Sequence, residues 1–253
     1  MIDFETKYNL MKEGGKILSE ILKIIKNNLQ EGKTGEDLNK LAEELIYSFG
    51  AEPAFKNYKA HFANFPYPYS ICLSLNEIIV HGYPTKDVVL KNGDVVKVDL
   101  GIKYKGFYLD SAFTTYIGQI DQETKKLIEI TKKALKEAIK LAKPGNKLGD
   151  IGWKIESTIE DAGFSVIIDF CGHGIGETLH QEPEIKNMGN PGEGMTINPG
   201  MFFTIEPMAS LGSNEIERID DYVFKTKDNS TSTHFETTIV VLENTNEVLV
   251  EID

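Results

Sequence analysis

Arginine is nearly absent from this 253-residue chain: of its 27 basic residues only Arg218 is not a lysine, and the net charge is −12. Nucleic-acid recognition rests on basic clusters and on arginine forks that reach phosphates or base edges, and the sequence offers neither. Cysteine is scarce as well. Cys72 and Cys171 lie far apart in no C-x-x-C pair, which excludes a cysteine-rich structural zinc site and suits a reducing compartment. No apolar run approaches the roughly 20 residues of a membrane span. The N-terminal Met1-Ile2-Asp3-Phe4-Glu5 has no basic segment followed by an apolar one. A cytoplasmic protein without membrane or nucleic-acid partners is expected. Its hydrophobic content of 41% is enough for a sizeable core.

A Pro/Gly/Ser-rich linker is also missing, although the chain repeats itself. Gly32, Leu38 and Gly50 recur as Gly145, Ile151 and Gly163, each at an offset of 113. Further on, His81-Gly-Tyr-Pro84 resembles His180-Gln-Glu-Pro183. In both Asn92-Gly93 to Asp99 and Pro199-Gly200 to Glu206, an apolar run places an acid six residues after the glycine. Three matches in one order predict a duplicated fold, with one catalytic domain over 1–253 whose halves span about 1–120 and 121–253. Helical periodicity covers 17–29, and Thr34 with Asp37 predicts a capped helix that stops at Gly50. The second half repeats this with helices over 121–142 and 149–162. Apolar β-rich runs follow each helical pair, at 71–80, 94–103 and 107–117, then at 164–170, 201–208, 220–226 and 235–249. The fold class is α+β: a curved antiparallel or mixed sheet covered by helices.

Chemistry concentrates in those strands. Val95 to Ser111 reads as a hairpin turning at Tyr104-Lys105, which would set Asp99 directly opposite Asp110. Two such carboxylates in an apolar strand pair repel unless a cation lies between them. A lone Asp would more often sit at a wet strand end. Here Glu206 occupies the matching place in the second copy, and Glu236 lies inside Phe235-Glu-Thr-Thr-Ile-Val-Val, although strand interiors are depleted of Glu. Cys171-Gly-His173-Gly-Ile-Gly176 reads as a glycine-rich turn around a histidine. It lacks the Lys-Ser/Thr of a phosphate cradle. One His with four carboxylates is a hard, oxygen-rich set suited to divalent Mn, Fe, Co or Zn. Taken singly, His81 and His180 read equally well as loop histidines; their matching places in the repeat favour catalytic roles.

Taken together, these motifs resemble the type I methionine aminopeptidases of the duplicated pita-bread fold, in metallopeptidase family M24. The resemblance runs through Asn76-Glu-Ile-Ile-Val-His81-Gly, Asp99 and Asp110, Cys171 to Gly176 with His180, Phe203-Thr-Ile-Glu206-Pro-Met208, Val223 to Asp228, and Glu236. It implies that Asp99 binds one ion, His173 and Glu206 a second, and that Asp110 and Glu236 bridge the two. Ions roughly 3.5–4 Å apart bring a shared water toward a pKa of about 7. Glu206 would take its proton, His180 would stabilise the oxyanion, and His81 would meet the scissile amide nitrogen. The implied substrates are N-termini of peptides and nascent chains, with transient ribosome contact, and the implied state is a monomer.

Related families differ in ways the chain can be checked against. Prolidase-like members carry a large N-terminal domain, type II enzymes an insertion before the last Glu, and creatinases or binding modules have lost ligands; here 30 residues separate Glu206 from Glu236. The resemblance implies a methionine pocket lined by Tyr67, Cys72, Leu179 and Tyr222. Leu179 replaces a usual Phe, Tyr222 a usual Trp, Asn64 an aromatic and Thr237 a His, so a somewhat relaxed preference for Met is expected.

Overall fold

The computed structural model describes residues 2–251. The first helix, α1 (Phe4–Asn27), starts well before the periodic segment, because the Asp3 carboxylate accepts the Thr6 N–H at 2.9 Å and caps it. Its early turns hide from a periodicity search behind Gly14-Gly15. There α1 passes so close to the end of the chain that a Cβ on Gly15 would lie 2.1 Å from the Leu249 carbonyl oxygen. The second helix, α2 (Gly35–Ser48), carries the expected capping box: Thr34 Oγ1 accepts the Asp37 N–H, and the Asp37 carboxylate accepts that of Thr34, both at 3.1 Å. In the second half α3 (Gln122–Leu141) precedes α4 (Leu148–Glu160), where Asp150 repeats only its side of the box, on the Lys147 N–H at 2.7 Å. Thr34 bridges Val89 and Lys147 bridges Thr196, which are matching positions of the repeat.

The strands of the first half are β1 (Glu52–Pro53), β2 (Cys72–Leu75), β3 (Ile78–Val80), β4 (Val95–Tyr104) and β5 (Phe107–Tyr116). Those of the second are β6 (Ser165–Val166), β7 (Cys171–Gly174), β8 (Gln181–Lys186), β9 (Phe202–Ile205), β10 (Met208–Ser210), β11 (Ile216–Arg218), β12 (Phe224–Thr226), β13 (Ser232–His234), β14 (Glu236–Val241) and β15 (Asn246–Val248). The main sheet runs β1-β4-β5-β14-β9-β7-β8, with β2 also on β4 and β15 on β14; β13-β10-β6 and β11-β12-β3 form two smaller sheets. The paired strands are antiparallel. The buried face of α1 (Met11, Leu18, Ile21, Leu22, Ile25) packs into one continuous core with the sheet and the other helices.

Two sequence expectations change. The β4–β5 hairpin turns at Lys105-Gly106, not Tyr104-Lys105, because both turn residues take positive φ (47° and 93°) and Gly106 meets that demand without strain. Tyr104 therefore pairs with Phe107, Asp99 with Ala112, and Asp110 with Gly101. Each residue's partner thus lies two positions from the expected one, which leaves Asp99 and Asp110 on one face but diagonal rather than opposed. The segment around His173 is also not a turn but strand β7. A Cβ on Gly172 would lie 2.3 Å from the Thr204 carbonyl oxygen, and one on Gly174 would lie 2.2 Å from that of Glu182. The glycines there serve close strand packing.

Candidate metal centre

Five neighbouring strands of the main sheet each deliver one candidate side chain to the same place: Asp99 from β4, Asp110 from β5, Glu236 from β14, Glu206 immediately after β9, and His173 from β7. Register explains the convergence. Asp99 pairs with Ala112, Ala112 with Glu236, and the Thr237–Ile205 pair brings Glu206 opposite Glu236. Directly opposed residues share a face, so three acids stand in one row, and Ala112 between two of them has no bulk to fill the space. Asp110 joins from two residues along β5.

The ligand atoms of Asp99, Asp110 and Glu236 all lie within 4.8 Å of one another, as do those of His173, Glu206 and Glu236, and those of Asp110, His173 and His180. Asp110 and Glu236 are thus each shared between two groups. Asp99 Oδ1, Asp110 Oδ1 and Glu236 Oε1 are buried and accept no hydrogen bond. Burial raises the pKa of all four acids. For Asp110 and Glu236 the next causes are the neighbouring carboxylates, as is Asp99 for Glu206; around Asp99 itself, His234 and a hydrogen bond with Asp110 pull the other way. The histidines move in the opposite direction. Loss of hydration pushes His173, His81 and His234 down to about 4. Without an ion, burial shifts every member of the cluster toward its neutral form. Acceptor oxygens left unpaired in that setting fit a divalent cation, which would take the place of the protons.

His173 is oriented for such a role. Its Nδ1 lies 3.0 Å from the Gly174 carbonyl, which accepts the Nδ1 proton, so the Nε2 lone pair faces the acids, 3.8 Å from Glu236 Oε1. His180 packs against His173 with ring centroids 4.3 Å apart. It is exposed as a residue, yet lost hydration of the ring, then the neighbouring His173, His81 and His61, holds its pKa down to about 3. The Tyr58 hydroxyl lies 2.7 Å from His180 Nδ1. Among the described residues this hydroxyl pairs with Nδ1, and when Tyr58 donates its proton there, Nε2 of His180 carries the N–H. His81 sits in the left-handed region (φ 59°), an unusual conformation for a residue other than glycine. Its ring stands among Phe62, Phe170, Tyr222 and Phe224, with Nδ1 3.3 Å from the Tyr222 carbonyl.

The four pocket candidates, Tyr67, Cys72, Leu179 and Tyr222, are all buried within the main core cluster. Cys72 pairs with Asp99 across β2 and β4, next to the acids. The Tyr67 and Tyr222 rings meet edge to face at 5.2 Å. Tyr222 Oη donates to the Phe65 carbonyl at 2.8 Å, pinning the loop before Tyr67. Asn64 is exposed and bonds Asp221, so it clasps the loop instead of lining the pocket.

Sequence reading passed over His234, Tyr58 and Lys97. Lys97 is fully buried, and loss of hydration pushes its pKa down to about 7; its Nζ donates to the Asn76 and Ser232 carbonyls at 2.7 and 2.9 Å and joins the turn after β2 to β13. A period-2 signal did link His234 to Glu236. Nothing local linked Tyr58 to His180, which lies 122 residues away.

Comparison with known proteins identifies the family. The model of metallopeptidase family M24 matches residues 9–243. The methionine aminopeptidase of Clostridium perfringens is 39% identical over 246 residues, covering 97% of this chain and 96% of that protein. The crystal structure of methionine aminopeptidase from Thermotoga maritima superposes with a TM-score of 0.94 at 39% identity and covers 100% of both chains. A prolidase from Pyrococcus horikoshii shares the fold alone: its TM-score is 0.76 at 20% identity, and the match covers 98% of this chain but 63% of that one.

Proposed function

Since the chain belongs to metallopeptidase family M24, we propose that it removes the N-terminal methionine from peptides and proteins, using two divalent ions held by Asp99, Asp110, His173, Glu206 and Glu236. The supporting observation is the set of buried, unpaired oxygens of Asp99, Asp110 and Glu236, at the meeting of three overlapping groups of ligand atoms. When bound, such an ion pair supplies an acidified water and polarises the scissile carbonyl.

The chain's own residues do the rest. Glu206 accepts the proton of the attacking water. His180, kept neutral and with Nδ1 occupied by the Tyr58 hydroxyl, offers its Nε2–H to the oxygen that gains charge. His81, held at a strained backbone angle and with Nδ1 against the Tyr222 carbonyl, presents its other ring nitrogen to the scissile amide. Tyr67, Cys72, Leu179 and Tyr222 receive the methionine side chain, where a sulfur–aromatic contact contributes about 0.3–1.5 kcal/mol. The same reading has one catalytic domain act as a monomer in the cytoplasm on nascent N-termini, in transient contact with the ribosome. It accepts Co, Mn, Fe or Zn as the ion.

The test is a panel of Met-Ala, Leu-Ala and Xaa-Pro peptides with metal-stripped and reconstituted protein. Chelation abolishes cleavage, and Mn²⁺, Fe²⁺ or Co²⁺ restores it on Met-Ala. Undiminished turnover without metal would overturn the dinuclear reading, and a preference for Xaa-Pro would overturn the substrate. Within that panel, discrimination of Met over Leu is modest, within about 10–200-fold, since one misfit methylene is worth about 1–3 kcal/mol. Leu179→Phe narrows the pocket and raises the Met-to-Leu ratio of kcat/KM; an unchanged ratio would remove Leu179 from the pocket.

A further inference from the structure

His234 is the one histidine near the acids for which neither the mechanism nor the pocket has a use. It closes β13, where it pairs with Met208, two residues beyond Glu206. The strand end is held on both sides: its N–H donates to Thr114 Oγ1 at 2.9 Å, and its carbonyl accepts from the same hydroxyl at 2.6 Å. The side chain is 2% exposed, and Nε2 is buried with no hydrogen-bond partner. Its ion-pair contact is Glu206 Oε2 at 3.5 Å, a separation just outside a well-formed hydrogen bond, and the charges of Asp99 and Lys97 also act on the ring. Among the described residues, the groups of three or more side chains able to hold an ion do not include His234, so the ring adjoins the ligands without joining their groups. A buried imidazole nitrogen without a partner is costly, and a carboxylate that must keep one oxygen on a cation needs its other oxygen fixed.

We propose that His234 is a positioning residue: its Nε2–H donates to Glu206 Oε2 once the site is loaded, fixing the rotamer of the carboxylate that both binds an ion and takes the proton. The proposal rests on the metal site described above. It departs from the simplest view of the cluster, in which β13 is scaffolding only. A ring N–H on Oε2 leaves Oε1 of Glu206 free for the ion and prevents the carboxylate from turning away between turnovers. A side-chain amide reaches a similar distance and carries an N–H, whereas an aliphatic side chain of similar size fills the space and donates nothing.

Three metal-free proteins, wild type, His234→Gln and His234→Leu, are titrated with Mn²⁺ by calorimetry, and their metal-free melting temperatures report folding. His234→Leu weakens uptake of an ion by about 10–100-fold, as loss of an outer hydrogen bond to a ligand does. His234→Gln remains within about threefold of wild type, because it restores the donor. On the Met-Ala peptide, saturated with Mn²⁺, His234→Leu lowers kcat and leaves KM nearly unchanged. Wild-type affinity in His234→Leu overturns the proposal, and so does a glutamine variant no better than leucine. If the leucine variant does not fold, the glutamine variant decides alone: affinity near wild type supports the donor role, and a loss of tenfold or more removes it. A wild type that takes up no Mn²⁺ would instead overturn the metal site itself.

Discussion

Asp110→Asn abolishes hydrolysis of Met-Ala peptides while leaving the metal-free protein no less stable. Asp110 belongs to both the Asp99/Asp110/Glu236 group and the Asp110/His173/His180 group. An amide of the same shape keeps one weak oxygen donor and loses the charge needed at both sides. Removing an outer partner of a ligand already costs about 10–100-fold, so the loss of a shared ligand exceeds 100-fold in kcat/KM. Stability moves the other way, or not at all. Burial and the carboxylates of Glu236, Asp99 and Glu206 raise the Asp110 pKa, so the ion-free fold disfavours its charge, and an uncharged side chain removes that penalty. The strand is unaffected, because Asp110 bonds Thr238 Oγ1 through its own N–H and carbonyl. Peptide hydrolysis and thermal melting of metal-free protein check both halves. A variant that keeps its activity, or one whose metal-free form melts well below wild type, would contradict the shared-ligand role.

His180→Ala lowers kcat by about 10²–10³-fold and changes KM much less, as expected when one preorganised donor to a developing oxyanion is removed. The donor role depends on which ring nitrogen carries the proton. A Tyr58 hydroxyl that donates to Nδ1 at 2.7 Å sets the proton on Nε2, and the depressed pKa keeps the ring neutral near pH 7. Tyr58→Phe therefore moves kcat in the same direction by a smaller amount, because the ring stays and only its tautomer is released. Steady-state kinetics on Met-Ala peptides measure both variants. A His180→Ala protein whose loss falls on KM instead would make His180 a binding residue and leave the oxyanion without this donor.

The two parts of the chain's logic were legible to different degrees. The repeat, the helix caps at Thr34 and Gly50, and the acids at Asp99, Asp110, Glu206 and Glu236 could be read because each is a local pattern: a period, a cap, or a charge inside an apolar run. The β4–β5 register was missed by two residues because a two-residue turn with positive φ is set by Gly106, while the apolar alternation alone suits either register. Strand β7 was read as a turn because the glycines that signal turns equally permit a backbone approach as close as that of Gly174 to Glu182. Strand β8 (Gln181–Lys186) was passed over because its alternation is short and weak: exposed Glu182, Glu184 and Lys186 flank only Pro183, a residue that argues against a strand, and buried Ile185.

By itself, then, the sequence determined which residue types the site could use and that the four acids lie in apolar strand runs, because periodicity and charge burial are properties of short segments. Tertiary structure decided which of those residues meet. Five strands had to come together in the order β4-β5-β14-β9-β7 before three overlapping groups could form, joined through Asp110, Glu236 and His173. The partners that orient them (Tyr58 on His180, the Gly174 carbonyl on His173, His234 beside Glu206) include long-range contacts that no local pattern encodes. Their spacing along the chain carries no constraint on their spacing in the fold, and hydrogen-bond geometry at a few ångströms is set only once the sheet has closed.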